Sequence, residues 1–118
     1  MSLPTLSEKD LSPYFSKADI IRQTAEQLNK DLAQVGEEVS FTGNTATAYA
    51  ELFSQVEPLI RKMLSSRQET LMQLLYRIDV NEQHMAGAIQ SGGEIAGKIT
   101  QLILLRELQK VVIRNFYK

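Results

Sequence analysis

Apolar residues recur at helical rather than strand spacing along most of this chain, and that periodicity limits the folds open to it. Ile21, Ala25, Leu28, Leu32, Val35 and Val39 step by 4, 3, 4, 3 and 4, while Arg22, Glu26, Asn29, Lys30 and Gln34 fill the opposite side. Such a stripe must be covered by another element, so it belongs to an amphipathic helix on a shared core. Ser16 is placed to cap it, with Phe15 and Ile20 in the staple positions, and the spacing predicts a helix from about Lys17 to about Glu38.

The same pattern continues after the turn Thr42-Gly43-Asn44-Thr45. Ala46, Tyr49, Phe53, Val56, Ile60 and Met63 form a second stripe, interrupted by Pro58. Proline lacks the amide proton and clashes with the preceding turn, so a kink or break is expected near Glu57. Ser66 and Glu69 have capping-box spacing ahead of Leu71, Leu74, Leu75 and Ile78. Asp79 or Asn81 then caps a shorter helix through Met85 and Ile89, which Ser91-Gly92-Gly93 ends. In the last segment, Ile95, Ile99, Leu102 and Ile103 cluster on one side of a helix. Leu104, Leu105, Leu108, Val111, Val112 and Phe116 cluster on nearly the other. A helix apolar most of the way round is buried among several neighbours, or serves a core on one side and a contact on the other. The run Lys110 to Arg114 is rich in β-branched residues, but no second convincing strand exists to pair with it.

These segments predict an all-α fold over residues 1–118 as one helical domain. It is an irregular bundle of four main helices plus one or two short ones, with the carboxyl-terminal helix central. Residues 1–15 read as an extended lead-in with a short turn stopped by Pro13. Leu28, Leu32, Phe53, Leu74, Leu75, Leu108 and Val112 lie mid-stripe and are the expected core.

Composition narrows the chemistry. The 43% hydrophobic and 23% charged content is that of an ordinary globular domain. With no cysteine, disulfides and thiolate metal sites are excluded. Met1 to Asp10 shows no basic region followed by an apolar one, and the longest apolar run, Leu102 to Leu105, is four residues. A cytoplasmic protein without a membrane span is expected. Net charge is −1, divided as +3 over Glu94–Lys118 and −4 before it.

Leu74-Leu75-Tyr76-Arg77-Ile78-Asp79-Val80, together with Leu104-Leu105-Arg106-Glu107 and the ending Phe116-Tyr117-Lys118, resembles a group of small bacterial helical proteins of uncharacterised role. The resemblance covers roughly the second half of the chain. It implies a helical bacterial protein and brings no activity, cofactor or site residue with it.

Few residues offer site chemistry. His84 is the one histidine, and His84-Met85-Ala86-Gly87-Ala88 is reminiscent of a histidine phosphotransfer domain, with small neighbours for a docking receiver. The lysine such domains place three residues later is replaced by Gly87, so a surface histidine is the preferred reading. Gly92 to Ile99 is a near miss to a phosphate-binding loop; Ile99 stands where a hydroxyl would hold magnesium, and no strand precedes the glycines. Glu37, Glu38, Asp79 and Glu82 lack the histidine partners of a carboxylate-bridged metal pair.

Arg106, Lys110, Arg114 and Lys118 fall four apart and form a basic ridge on the last helix. Cations in final turns favour the helix dipole, and so few are thin for duplex binding, so nucleic acid is disfavoured as a partner. No catalytic, cofactor or metal site is expected. The sequence predicts a non-enzymatic interaction protein, an adaptor, chaperone-like or regulatory subunit. Its expected contact surface is Ile95, Ile99, Leu102, Ile103, Arg106, Lys110 and Arg114, and its expected partner is another protein or a second copy. The alternatives are phosphotransfer through His84 and weak nucleic-acid contact through the ridge.

Overall fold

The computed structural model describes residues 13–14, 17–90 and 92–116, and among these described residues there are five α-helices. They are α1 (Ala18–Leu32), α2 (Ala48–Ser66), α3 (Gln68–Ile78), α4 (Glu82–Gln90) and α5 (Ile95–Phe116), with a 3₁₀ turn at Ala33–Val35 extending α1. Among the described residues there is no strand, and α5 touches each of the other four helices. The fold is the all-α bundle expected, with the carboxyl-terminal helix at its centre. No helix among the described residues is long and apolar enough to cross a membrane.

The first helix ends earlier than its stripe. Gly36 adopts φ 77°, and Glu37 N–H reaches Leu32 O (3.0 Å) while Gly36 N–H reaches Ala33 O (3.1 Å). This paired closure uses a left-handed residue to satisfy the last carbonyls, which glycine does without a Cβ penalty. The chain then runs extended, and Val39 regains the core because Asn29 grips its backbone from both sides. Val39 N–H donates to Asn29 Oδ1 (2.7 Å) and Asn29 Nδ2 donates to Val39 O (2.8 Å). Helical periodicity thus predicted burial of Val39 correctly while misplacing its backbone. Ser16 and Phe15, the expected cap and staple, lie outside the described residues, as do most of the lead-in and Ser91.

The second stripe is rotated from the one expected. Ala48, Leu52, Val56, Ile60 and Met63 are buried; Ala46 is exposed, and Phe53 is half-buried beside Tyr49, ring to ring at 5.8 Å. The helix runs unbroken through Pro58, whose ring stands on the exposed side. The break comes instead at Arg67, φ −140° and ψ 53°. Ser66 does not cap α3; its hydroxyl donates back to Lys62 O (3.1 Å).

At the end of α3, Asp79 takes the left-handed conformation, φ 68°, with Val80 N–H on Leu75 O and Asp79 N–H on Tyr76 O, both 3.1 Å. Asn81, not Asp79, caps α4, its Oδ1 accepting from Gln83 N–H (2.8 Å) and His84 N–H (3.1 Å).

Apolar burial falls into two groups. The larger joins α1, α2, α3 and the amino-terminal half of α5 around Leu28, Leu52, Ile60, Leu74, Ile78 and Ile103. The smaller packs Ile20 against Leu108, Val111 and Val112, with Tyr14 and Leu105 beside it. Glu107 falls in sequence between Leu104 of the first group and Leu108 of the second, and it is fully buried. Of the expected core, all but Phe53 is buried outright.

Candidate functional site

Two features stand apart from ordinary packing: an apolar cleft between α3 and α4, and a buried polar cluster between α1 and α5. The cleft follows from the way α4 is held. That helix has no buried residue and packs chiefly on α5, so its apolar side leans across a gap toward α3. Met72, Leu75, Tyr76, Val80, Met85 and Ile89 line a space of about 1030 Å³, with Asp79 and Glu82 at its turn. Tyr76 is 88% exposed, Met72 64% and Ile89 52%. Single exposed apolar residues are commonplace, but several large ones around one concavity mark a contact surface. Two of them are methionines, whose flexible thioethers adapt to varied partners.

The polar cluster joins three helices. Asp31 of α1, only 3% exposed, takes Arg77 Nε of α3 on Oδ1 (3.1 Å) and Lys110 Nζ of α5 on Oδ2 (2.9 Å). Lys110 Nζ also lies 2.5 Å from Glu107 Oε1 as an ion pair, yet neither Glu107 oxygen accepts a hydrogen bond. A buried carboxylate in that position is costly, whereas a neutral carboxylic acid has a proton to share. Burial is the main force raising the Glu107 pKa, with the adjacent Asp31 carboxyl adding to it against the pull of Lys110, and it reaches about 8. For Asp31, burial again pushes upward, but contacts with Glu107, Lys110 and Gln27 outweigh it, and its pKa sits below the usual value. At neutral pH the pair is therefore a protonated Glu107 beside an ionised Asp31, neutralised by Lys110 and Arg77.

A protonated acid beside a carboxylate is an acid–base pair in chemical terms, but with Glu107 fully buried and Asp31 nearly so, a substrate touches neither unless α1 and α5 separate. The cluster fastens helices.

The surface expected on α5 is largely consumed within the chain. Ile99 and Ile103 are core residues, Leu102 is half-buried, and only Ile95 reaches solvent, so the four do not form an exposed patch. Ile99 and Ile103 share the larger core with α1, α2 and α3, and α4 packs on α5 as well. The described cations of the basic ridge each have a partner within the chain. Arg106 Nε donates to Asp79 O (3.0 Å) and its terminal nitrogen meets Asp79 Oδ2 (3.1 Å). Lys110 serves the buried cluster, and Arg114 donates to Gln27 Oε1 (3.2 Å). Lys118 lies outside the described residues.

His84 is exposed, and a side chain added at Gly87 would meet nothing, so the small-residue surround is open. The glycine-rich stretch before α5 is a turn, with φ 75° at Gly92 and 85° at Gly93, and Lys98 Nζ reaches back to Gly92 O. That lysine serves its own loop.

Sequence reasoning passed over both features. Met72 and Tyr76 lie four apart and off the Leu71–Ile78 stripe, a second apolar face legible by spacing. Asp31 adjoins the Leu28–Leu32 stripe, and Glu107 is three residues after Leu104 and four before Val111, so each was a charge on a buried face. No protein-family model, curated protein or solved structure matches this chain.

Proposed function

We propose that this chain is a non-enzymatic interaction protein, an adaptor or regulatory subunit, whose α3–α4 cleft receives an apolar helical segment. The observation that carries this reading is the grouping of exposed Met72, Tyr76 and Ile89 around one concavity. A bacterial cytoplasmic setting, expected from the sequence, belongs with it. Four methionines make the test direct: Met72 and Met85 line the cleft, Met63 is core and Met1 is terminal. In a methyl NMR titration with a helical peptide of leucine on one face and glutamine on the other, Met72 and Met85 should shift while Met63 stays. Shifts confined to other methyls, or none, would sink the reading.

Phosphoryl transfer through His84 is the second reading, favoured by the exposure of that imidazole and the open space at Gly87. Against it stands the glycine in place of a lysine. The interaction reading expects no acid-labile phosphoprotein after incubation with a small phosphodonor. A product that disappears in His84→Ala would install the second reading instead.

A further inference from the structure

The charges around the α3–α4 cleft say more about its occupant than its apolar floor does. Its acidic lining residues are Asp79 and Glu82, and no lysine or arginine lines it. Glu69, exposed on α3, precedes Met72, Gln73 and Tyr76 by 3, 4 and 7 residues and so shares their helix face. Asp79 is compensated by Arg106. Among the described residues, neither Glu69 nor Glu82 forms an ion pair. The cleft thus has an apolar floor, an unpaired carboxylate at Glu82 on its lining, and a second at Glu69 beyond it, one turn before Met72 on α3.

We propose that the occupant is an amphipathic helix of a partner protein carrying lysine or arginine beside its apolar face, an inference that rests on the cleft being an interaction site. Each part of this follows from the walls. Both are helices whose backbone groups are bonded internally, so they offer no edge to an added strand, and an apolar groove between two helices suits helix-in-groove docking. The carboxylates repel nucleic-acid phosphates and anionic lipid headgroups alike, and they attract a cationic rim. Leucine-sized anchors at i, i+3 or i+4, and i+7 would fill the space between Met72, Tyr76, Met85 and Ile89. Tyr76, with its ring outward, supplies a large rigid contact at little entropic cost.

Three fluorescent peptides of about 18 residues, with one leucine face and either lysine, glutamine or glutamate on the other, test this by anisotropy. At about 50 mM salt the lysine peptide should bind about tenfold or more tighter than the glutamate peptide, and the gap should narrow at about 300 mM. Glu69→Lys combined with Glu82→Lys should reverse the order. Both sites are exposed, so the variant should retain its helicity by circular dichroism. Tyr76→Ser should weaken the lysine and glutamine peptides alike. Equal binding of all three peptides would overturn the cationic partner while leaving the cleft reading intact; no binding by any would overturn both. Binding indifferent to Tyr76→Ser would place the contact elsewhere and overturn both as well. A dimer in sedimentation equilibrium that Tyr76→Ser dissolves would make a second copy the occupant and overturn the cationic helix.

Discussion

Glu107 shows how much a single buried carboxyl can do to a bundle of this size. In the unfolded chain it loses its proton near its ordinary value of 4.5; in the folded protein it keeps that proton to about 8. Between those values the unfolded state binds fewer protons, so stability falls as pH rises and levels off above about 8. At 1.36 kcal/mol per pH unit the loss is roughly 3–5 kcal/mol across the window. Asp31 acts oppositely and elsewhere: its lowered pKa contributes stability above its ordinary 3.8 that is lost as the solution is acidified further. Urea unfolding of the wild type at a series of pH values should therefore show stability declining from about pH 5 to 8, and Glu107→Gln should flatten that slope while keeping m unchanged. A wild type whose stability is level across the window would mean that Glu107 is ionised in the fold. The sequence held the clue, since Glu107 interrupts an otherwise apolar arc, yet spacing alone does not tell a buried acid from a gap in the stripe. His84 drew attention by rarity, whereas Glu107 and Asp31 are distinguished by burial, and burial depends on which helices come to cover them.

At the scale of the element, local chemistry was most legible where one stripe governed and least where a single backbone residue overrode it. The stripe of α1 predicted Ile21, Leu28 and Leu32 correctly because that one face packs against α5 and α3. Leu32→Ala should cost about 2–5 kcal/mol in urea unfolding, and a loss under about 1 kcal/mol would mean that the site collapses around the gap. The end of the same helix escaped the pattern because Gly36, not the last apolar residue, sets it. Gly36→Ala forces a Cβ into φ 77° and should destabilise by about 1 kcal/mol, though its side chain would touch nothing. Pro58 is the complementary case. It predicts a break, but the buried residues on either side, Val56 and Ile60, hold α2 continuous against α5. The missing hydrogen bond to Ser54 O is thus carried at the expense of stability, and Pro58→Ala should raise it by about 1–3 kcal/mol. A destabilised variant would show that the ring makes contacts outweighing that lost bond.

For the molecule as a whole, the expected architecture is recovered, while Ile99 and Ile103 of the expected contact face are core residues. An α5 apolar on two sides requires either many neighbours or a partner; the sequence does not say which, because the coverage is long-range. Here α1, α2 and α3 share the core that buries Ile99 and Ile103, α4 packs on α5 beside them, and Met72, Tyr76 and Ile89 stay exposed around the gap between α3 and α4. The exposed surface has been relocated rather than removed. The cost falls on α4 itself, a helix of 9 residues with none buried, flanked by the Asp79–Asn81 turn and the glycine pair Gly92-Gly93. An isolated helix so short is unstable in water, so its order depends on the few contacts it makes with α5. Local opening should therefore be far easier there than in the middle of α5, where Ile103, Leu104, Leu108 and Val111 are all fully covered. In hydrogen exchange followed by mass spectrometry, amides of residues 86–90 should exchange at least about a hundredfold faster than those of residues 103–111. A helix occupying the α3–α4 cleft buries the outer side of α4 and must slow that exchange, because binding only the closed state lowers the open population. Protection of 86–90 already equal to that of α5 in the free protein would show that α4 opens only with the whole bundle, and the cleft would then be a rigid groove rather than an adjustable one.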